Sequence, residues 1–383
     1  MNIVFVSEIQ DPYLRGSSTQ ILTECLLQGL SDLGAKVTFI ATYDINNNPE
    51  NIERYYSKYV HRLCLIRSKV SLTAIPNTKF AKYHQLMRMT KYLLMYRQYN
   101  TDIPEIETDE DTILLSHTPS MEAAYICKAL MEKHKFKEYV QYWSDPYALV
   151  GIYLEDFGVK RYPNYIIESS ILKLADRVVY SGKPLFEAQK KLYKKHARKM
   201  DCTAFSYSKM SMSSGRKGNL PVKFSYMGDY MSFTRNIAPL FEAFARSERG
   251  ELLVCGHGNV LPRENAGNIT VSGRVSQSEV RERENSSDVL ISIINHSCLQ
   301  IPGKIFYPAN TDKILLVILD GKYKREMEEY LGQYNRFVFC ENNAESIYRT
   351  ISEIMDGKYA VDMSKTHLLS PKSIVADILG VQA

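Results

Sequence analysis

The sequence predicts an α/β protein built from two Rossmann-like domains. Short apolar runs alternate with segments that carry apolar residues at helical spacing, which is the pattern of parallel β-α-β units. The pattern stops at a stretch rich in Ser, Lys and Gly, residues 203–221, and starts again at residue 223. A chain of 383 residues is also long for one ordinary hydrophobic core, so two domains are expected.

In the first half, the apolar run NIVFVS predicts a buried first strand, and Gly34 is a suitable C-terminal cap for the helix that follows it. The predicted strands of this half are 2–7, 36–42, 112–117, 139–144 and 177–182. The predicted helices are 18–34, 119–134 and 164–176.

The second half repeats this alternation. Its predicted strands are 223–228, 251–256, 268–273, 288–294, 314–319 and 336–340, and its predicted helices are 236–247, 276–286, 323–332 and 344–356. Between two of these strands lies HSCLQIPGKIFYP, residues 296–308, where a Pro-Gly pair leads into a predicted short helix. Free N–H groups and the dipole at a helix N-terminus attract anions, so this segment predicts an anion site.

Composition and charge narrow the choice of compartment and partner. There is no apolar run of 18 residues and no signal peptide, and the seven Cys include no C-x-x-C pair. We therefore expect a cytoplasmic protein with reduced thiols, neither a disulfide framework nor a zinc site, and possible attachment to the inner face of a membrane. No acidic residue occurs between Glu53 and Asp102, and a second basic cluster follows at 183–199. These segments imply an anionic partner.

The basic block has three interpretations. TKFAKYHQLMRMTKYLLMYRQY, residues 78–99, mixes Lys and Arg with Leu, Met and Tyr at helical spacing. This pattern suits an anionic membrane surface contacted through 54–101 and 183–199. A core helix with a solvated basic face is the main alternative, and nucleic-acid binding is the least favoured and is not expected.

An ordered series of phrases carries a family resemblance. RGSSTQILTECLLQGLSDLGAKVTFIA, ILKLADRVVYSGKPLFEAQKKLY, FSYMGDYMSFTRNIAPLFEAF and NITVSGRVSQSEVRERENSSDVLISI resemble GT-B glycosyltransferases, and within them the retaining glycosyltransferase family 4. The resemblance implies two Rossmann-like domains facing across a cleft. It also implies transfer of a sugar from a nucleotide diphosphate sugar to an acceptor with retention of configuration, without a metal or other cofactor.

The same resemblance implies a domain plan. Residues 1–203 would form the N-terminal acceptor domain, 204–221 a linker, and 222–364 the donor domain. The C-terminal segment 365–383 would form a helix that packs back on the first domain. The acceptor would be a cell-surface glycan or a lipid-linked precursor.

The resemblance also implies site residues. Lys304 and Arg235 would face the diphosphate, where negative charge builds as the glycosidic bond breaks. Further donor-binding residues would be Gly16, Ser17, Gly228, Gly256, His257, Arg274, Val275, Gln300, Pro302, Gly303 and Tyr307. On the acceptor side, His117 and Asp145 follow predicted strands and could accept a hydroxyl proton, although each could instead cap a following helix.

Two positions depart from the family pattern. The family usually has two Glu residues eight apart in this segment, and here those positions are Leu299 and Tyr307. A phenol cannot accept two ribose hydroxyl protons as a carboxylate can. A catalytically inactive partner protein is therefore the alternative function, and a nucleotide-sugar epimerase is a third class for which the sequence offers no carboxylate cluster.

Overall fold

The computed structural model describes residues 1–13, 18–68, 103–118, 120–208, 221–262 and 267–383. These residues form two compact units. The first comprises Met1–Val150, Leu154–Ala204 and Pro371–Ala383, and the second comprises Gly151–Tyr153 and Phe205–Ser370. The predicted basic helix at 78–99, and most of the predicted linker, lie outside the described residues.

The first unit contains a parallel sheet of seven strands in the order β3-β2-β1-β4-β5-β6-β7. The strands are β1 (Asn2–Ile9), β2 (Lys36–Tyr43), β3 (Arg62–Arg67), β4 (Ile113–Thr118), β5 (Glu138–Trp143), β6 (Arg177–Ser181) and β7 (Met200–Thr203). The helices are α1 (Ser18–Asp32), α2 (Pro49–Tyr56), α3 (Met121–Lys133), α4 (Tyr162–Leu172), α5 (Lys183–Leu192) and α10 (Pro371–Leu379). Its central strands are buried apolar runs, as a sheet covered on both faces requires.

The C-terminal helix α10 packs on α1 within this unit. Gly29 of α1 makes the approach possible, because a β-carbon there would lie 2.2 Å from the carbonyl oxygen of Pro371. The helix begins at Pro371, six residues after the start of the C-terminal segment that the sequence assigned to it.

The second unit contains a parallel sheet of six strands in the order β10-β9-β8-β11-β12-β13. The strands are β8 (Val222–Met227), β9 (Gly250–Cys255), β10 (Ile269–Ser272), β11 (Val289–Ile293), β12 (Ile314–Leu319) and β13 (Phe337–Glu341). The helices are α6 (Ala238–Ala245), α7 (Gln277–Asn285), α8 (Lys324–Gly332) and α9 (Ala344–Met355). A Ser276–Glu279 capping box starts α7.

Both sheets have a topological switch point, at which the strand order reverses. It lies between β1 and β4 in the first unit and between β8 and β11 in the second. In open parallel sheets, the loops that follow the carboxyl ends of these two strands form the usual ligand-binding crevice. The loops after β1 and β4, and those after β8 and β11, are therefore the expected ligand-binding loops of the two units.

One prediction about an individual element was wrong. The stretch after Pro302 forms only a single 3₁₀ turn, Gly303–Ile305, in place of a short α-helix. Pro308 lacks an N–H group and cannot continue a helix from this turn. Strand β7 ends at residue 203, the first residue of the stretch rich in Ser, Lys and Gly, and residues 205–208 belong to the second unit. The elements α2 and β3 were not predicted; β3 contains only a short apolar run, residues 63–66, between two Arg residues.

Candidate functional site

The candidate site of the second unit lies at its switch point. Strand β8 ends at Met227 and is followed by the loop of residues 228–235. Strand β11 ends at Ile293 and is followed by the loop of residues 294–302, which leads into the 3₁₀ turn. The predicted donor-binding residues Gly228, Gln300 and Pro302 therefore lie in two loops that leave neighbouring strands.

Three cationic side chains gather around the end of β8. The Lys304 ammonium donates a hydrogen bond to the carbonyl oxygen of Met227 at 2.7 Å. The Arg235 guanidinium donates from Nε to Asn295 Oδ1 at 2.9 Å. Arg274, in the loop after β10, forms an ion pair with Asp229. Lys304 and Arg235, which the resemblance assigns to the same diphosphate, thus belong to one cluster.

The charges of this cluster act on one another. Surrounding protein atoms desolvate the Lys304 ammonium and lower its pKa. The Arg235 and Arg274 guanidinium groups lower this pKa further, while Glu284 and Asp229 oppose the shift. The three cations Lys304, Arg235 and Arg274 therefore outnumber the two carboxylates of Glu284 and Asp229. Such an excess of positive charge attracts an anion.

The helix dipole predicted at Gly303 is missing. The sequence predicted an anion site at the dipole and free N–H groups of a helix that starts there, and a turn of three residues has no helix dipole of that size. Lys304 contributes through its side-chain ammonium, which reaches the neighbouring strand end. The attraction for an anion therefore comes from side-chain charge.

Asp229 connects the loops after β8, β9 and β10, and no pattern in the sequence indicates this role. Its carboxylate accepts hydrogen bonds from Arg274 Nε at 3.0 Å and from the His257 N–H at 3.0 Å. The hydrogen bond from Arg274 lowers the pKa of Asp229 to about 2, so the carboxylate is charged at neutral pH. Gly256 allows the loops after β8 and β9 to lie close together, because a β-carbon there would lie 2.1 Å from the Gly228 carbonyl oxygen.

The two positions that depart from the family pattern are buried. Leu299 and Tyr307 are 8% and 7% exposed. The Tyr307 phenol lies so close to Gly303 that a β-carbon on Gly303 would be 2.6 Å from the hydroxyl oxygen. Tyr307 therefore packs against the 3₁₀ turn, and its role at the ribose of a donor stays a prediction.

The remaining predicted donor residues differ in accessibility. His257 and Arg274 are exposed, while Val275, next to Arg274, is half-buried. The Gln300 side chain accepts a hydrogen bond through Oε1 from the Gly151 N–H at 2.9 Å. Gly16 and Ser17 lie outside the described residues.

Glu284, near the end of α7, is a carboxyl group that sequence reasoning missed. Burial raises its pKa to about 7, and the charges of Lys304, Arg281 and Lys313 oppose this shift. It stands in a polar helix with acidic and basic residues on all sides, QSEVREREN, so nothing in the sequence distinguishes it from its neighbours.

In the first unit, His117 and Asp145 come together through a serine. His117 contacts Ser7 Oγ through Nδ1 at 3.4 Å and Ser144 Oγ through Nε2 at 3.2 Å. The Ser144 hydroxyl in turn donates to Asp145 Oδ2 at 3.2 Å. His117 does not cap α3, whose N-terminal cap is Ser120, and Asp145 does not cap α4, whose N-terminal cap is Arg161.

The environment separates the roles of these two residues. His117 is 1% exposed, and burial lowers its pKa to about 4, so it is neutral at physiological pH and cannot reach a bulk substrate directly. Asp145 is half-buried and remains accessible. Nearby, burial raises the pKa of Glu8, whose carboxyl accepts a hydrogen bond from Ser120. Of the two predicted acceptor-side residues, Asp145 is the more accessible to solvent.

Within the described ranges, no group of three or more His, Cys, Asp or Glu side chains is arranged to hold a metal ion. No helix in those ranges is both long and apolar enough to cross a membrane.

No protein-family model and no curated protein sequence matches the chain. Solved structures do match. Sucrose-phosphate synthase from Thermosynechococcus elongatus matches with a TM-score of 0.60 at 14% identity, covering 99% of this chain and 97% of that one. The α,α-trehalose-phosphate synthase (UDP-forming) from Burkholderia xenovorans has a TM-score of 0.59 at 9% identity, covering 99% of both chains.

A third match is the HepE protein of Anabaena in complex with UDP and glucose, with a TM-score of 0.52 at 10% identity, covering 99% of this chain and 96% of that one. At these identities the likeness shows the fold alone. It confirms the predicted fold class, α/β with two Rossmann-like domains of the GT-B type.

Proposed function

We propose that the chain is a glycosyltransferase that moves a sugar from a nucleotide diphosphate sugar to an acceptor. The observation that carries the proposal is the cluster of Lys304, Arg235 and Arg274 around the end of β8, at the switch point of the second unit. A fold alone does not establish a function, so the proposal depends on this cluster of cations as the evidence from the site.

The chemistry follows from the leaving group. As the bond between the anomeric carbon and the diphosphate breaks, negative charge grows on the phosphate oxygens. Fixed cations that face this charge lower the barrier, and one such contact is typically worth about 2.7–4 kcal/mol. Because Lys304 and Arg235 are already held by Met227 and Asn295, they need little reorganisation when the charge develops.

The donor in this proposal is a uridine diphosphate hexose. The Anabaena neighbour contains UDP and glucose, and the cation cluster suits any nucleoside diphosphate. The resemblance to the retaining family 4 supports retention of configuration. No metal enters the proposal, because the positive charge at the diphosphate is supplied by side chains.

The acceptor side of the proposal rests on Asp145. Its carboxylate is accessible and receives a hydrogen bond from Ser144, which also contacts the neutral His117. Asp145 would orient or deprotonate the acceptor hydroxyl, and His117 would hold Ser144 in place. The acceptor proposed here is a cell-surface glycan or its lipid-linked precursor, as in the family that the sequence resembles.

We also propose that the protein works in the cytoplasm at the inner face of an anionic membrane, through 54–101 and 183–199. In the second segment, Lys183, Lys190, Lys191, Lys194, Lys195 and Arg198 are all exposed. Tyr165 stacks on both Tyr162 and Tyr193, which places exposed Tyr162 near this segment, and Val159 and Ile166 in the same stretch of chain are also exposed. Apolar and basic side chains on one surface add hydrophobic burial to phosphate attraction.

A panel of nucleotides and nucleotide sugars tests the enzymatic proposal. A donor at 100 times its dissociation constant should stabilise the protein by about 2.7 kcal/mol in a thermal-shift assay. Release of UDP in the presence of donor should then identify the transferable sugar. If no nucleotide diphosphate binds in calorimetry, the transferase proposal fails and the inactive-partner alternative takes its place.

Vesicle co-sedimentation tests the membrane proposal. Binding to phosphatidylglycerol vesicles, but not to phosphatidylcholine vesicles, is expected, together with a loss on changing Lys190, Lys194 and Lys195 to Glu. Changing Lys358, Lys365 and Lys372 to Glu alters the net charge equally and should leave binding intact. Equal loss in both triple variants would contradict a specific surface.

A further inference from the structure

The loop of residues 294–302 is braced from within and from one side. Asn295 donates from Nδ2 to the Gln300 carbonyl oxygen at 2.7 Å and accepts from Arg235 at its Oδ1. The His296 N–H donates to the Thr234 carbonyl oxygen at 2.7 Å. The conformation of this loop and the direction of the Arg235 guanidinium therefore depend on each other.

A three-residue segment, Gly151–Tyr153, holds the same loop from another side. It belongs to the second unit, although it is separated in sequence by about 50 residues from the rest of that unit. The Gly151 N–H donates to Gln300 Oε1 at 2.9 Å. The Tyr153 hydroxyl donates to the His296 carbonyl oxygen at 2.5 Å. We call Gly151–Tyr153 the strap.

The Tyr153 ring is itself fixed. It is 7% exposed, its centroid lies 5.0 Å from that of Tyr323, and the Lys322 ammonium lies 4.4 Å above it. Gly321 has a φ of +73°, and a β-carbon there would lie 2.5 Å from both the Tyr153 hydroxyl and the His296 carbonyl oxygen. A rigid aromatic side chain thus brings its hydroxyl to one defined backbone oxygen.

We propose that Tyr153 and Gly151 are positioning residues for the anion site, in that the strap fixes the 294–302 loop so that Asn295 presents Arg235 to the donor diphosphate. The inference rests on the proposed function, which supplies the ligand. Neither strap residue needs to touch the donor. Their effect passes through His296 and Gln300 to Asn295, and from Asn295 to Arg235.

Tyr153→Phe is the sharpest test, because it removes the hydroxyl and retains the ring that packs on Tyr323. We expect UDP affinity, measured by calorimetry, to fall about two- to tenfold, the loss typical of one hydrogen bond. Tyr359→Phe is the matched control, since its hydroxyl donates to Glu353 at 2.9 Å and has no link to the loop. It should leave UDP affinity unchanged.

A second readout separates positioning from general stability. If Tyr153 acts through Asn295, then Tyr153→Phe should weaken UDP binding less in an Asn295→Ala background than in wild type. Hydrogen exchange of the His296 amide should also speed up in Tyr153→Phe and stay unchanged in Tyr359→Phe. Gly321→Ala, which intrudes on the same hydroxyl and carbonyl, should reproduce both effects.

The outcomes distinguish the two proposals. Unchanged UDP affinity in Tyr153→Phe, or full additivity with Asn295→Ala, overturns the positioning role. If wild type binds neither UDP nor inorganic pyrophosphate, the proposed function fails, and hydrogen exchange of the His296 amide is the remaining test of the strap. Faster exchange in Tyr153→Phe then supports the inference that the strap stabilises the loop, and unchanged exchange overturns that inference.

Discussion

Removing the Lys304 ammonium should separate anion binding from folding. In Lys304→Ala, the folded protein loses one charge-assisted hydrogen bond, the one to the Met227 carbonyl oxygen. It also loses a cation whose pKa lies below its usual value because of desolvation and two neighbouring Arg residues. The folded chain therefore holds this proton less tightly than the unfolded chain, and the charged Lys lowers the free energy of unfolding at neutral pH.

These two effects oppose each other. A hydrogen bond from a charged group contributes about 1.5–3 kcal/mol, and relief of the desolvation of the ammonium and of its repulsion from the two Arg residues offsets most of that loss. We therefore expect the free energy of unfolding of Lys304→Ala to stay within about 1 kcal/mol of wild type, as judged by urea unfolding.

Ligand binding and turnover should change far more. A charged contact to phosphate is worth about 1.5–3 kcal/mol, so UDP affinity should fall about tenfold or more in calorimetry. Turnover of the donor should fall roughly 10²–10³-fold, because the contact strengthens as the leaving group gains charge. Lys324→Ala is the control, since Lys324 is exposed, pairs with Glu341 and carries the same charge.

One result would refute this reasoning directly. If Lys304→Ala binds UDP within twofold of wild type while Lys324→Ala does the same, Lys304 faces no phosphate. A large loss of stability in Lys304→Ala would instead show that the ammonium is a structural support of the β8 end, and the loss of binding would then carry no information about contact.

Four further outcomes are expected. Arg235→Ala should lower turnover by roughly 10²–10³-fold with little unfolding, and near-wild-type turnover would remove it from the site. Because the pKa of Lys304 is lowered, UDP affinity should begin to decline with rising pH before the usual pKa of a lysine is reached. Lys304→Arg should abolish this decline in calorimetry carried out at a series of pH values. Tyr307→Phe should cost at most about 0.5–1.5 kcal/mol of UDP affinity, since only a hydroxyl is lost; complete loss of binding would make that hydroxyl the main anchor. Burial raises the pKa of Glu168 to about 7, so the folded chain binds this proton more tightly and stability should fall as pH rises from about 4.5 to 7; urea titrations of Glu168→Gln should show a smaller fall.

The sequence alone determined the alternation of strands and helices and the doubling of the α/β unit. Buried parallel strands are continuous apolar runs, and this local property is visible without knowing any partner, as in ILLVIL of β12. The resemblance to GT-B glycosyltransferases also indicated Lys304 and Arg235 as cations for the diphosphate. The shortened turn at Gly303–Ile305 is also a local effect, because the missing N–H of Pro308 is visible in the sequence.

Only the tertiary structure decided which of these residues act together. The pairing of Asp229 with Arg274 joins the loops after β8 and β10, and the strap brings Tyr153 to His296 across more than 140 residues of sequence. Burial likewise made His117 a neutral internal group and left Asp145 accessible. Local spacing records which face of an element a side chain occupies. The charge and solvation of a side chain are set by neighbours that the fold brings from distant segments, and so they become visible only in three dimensions.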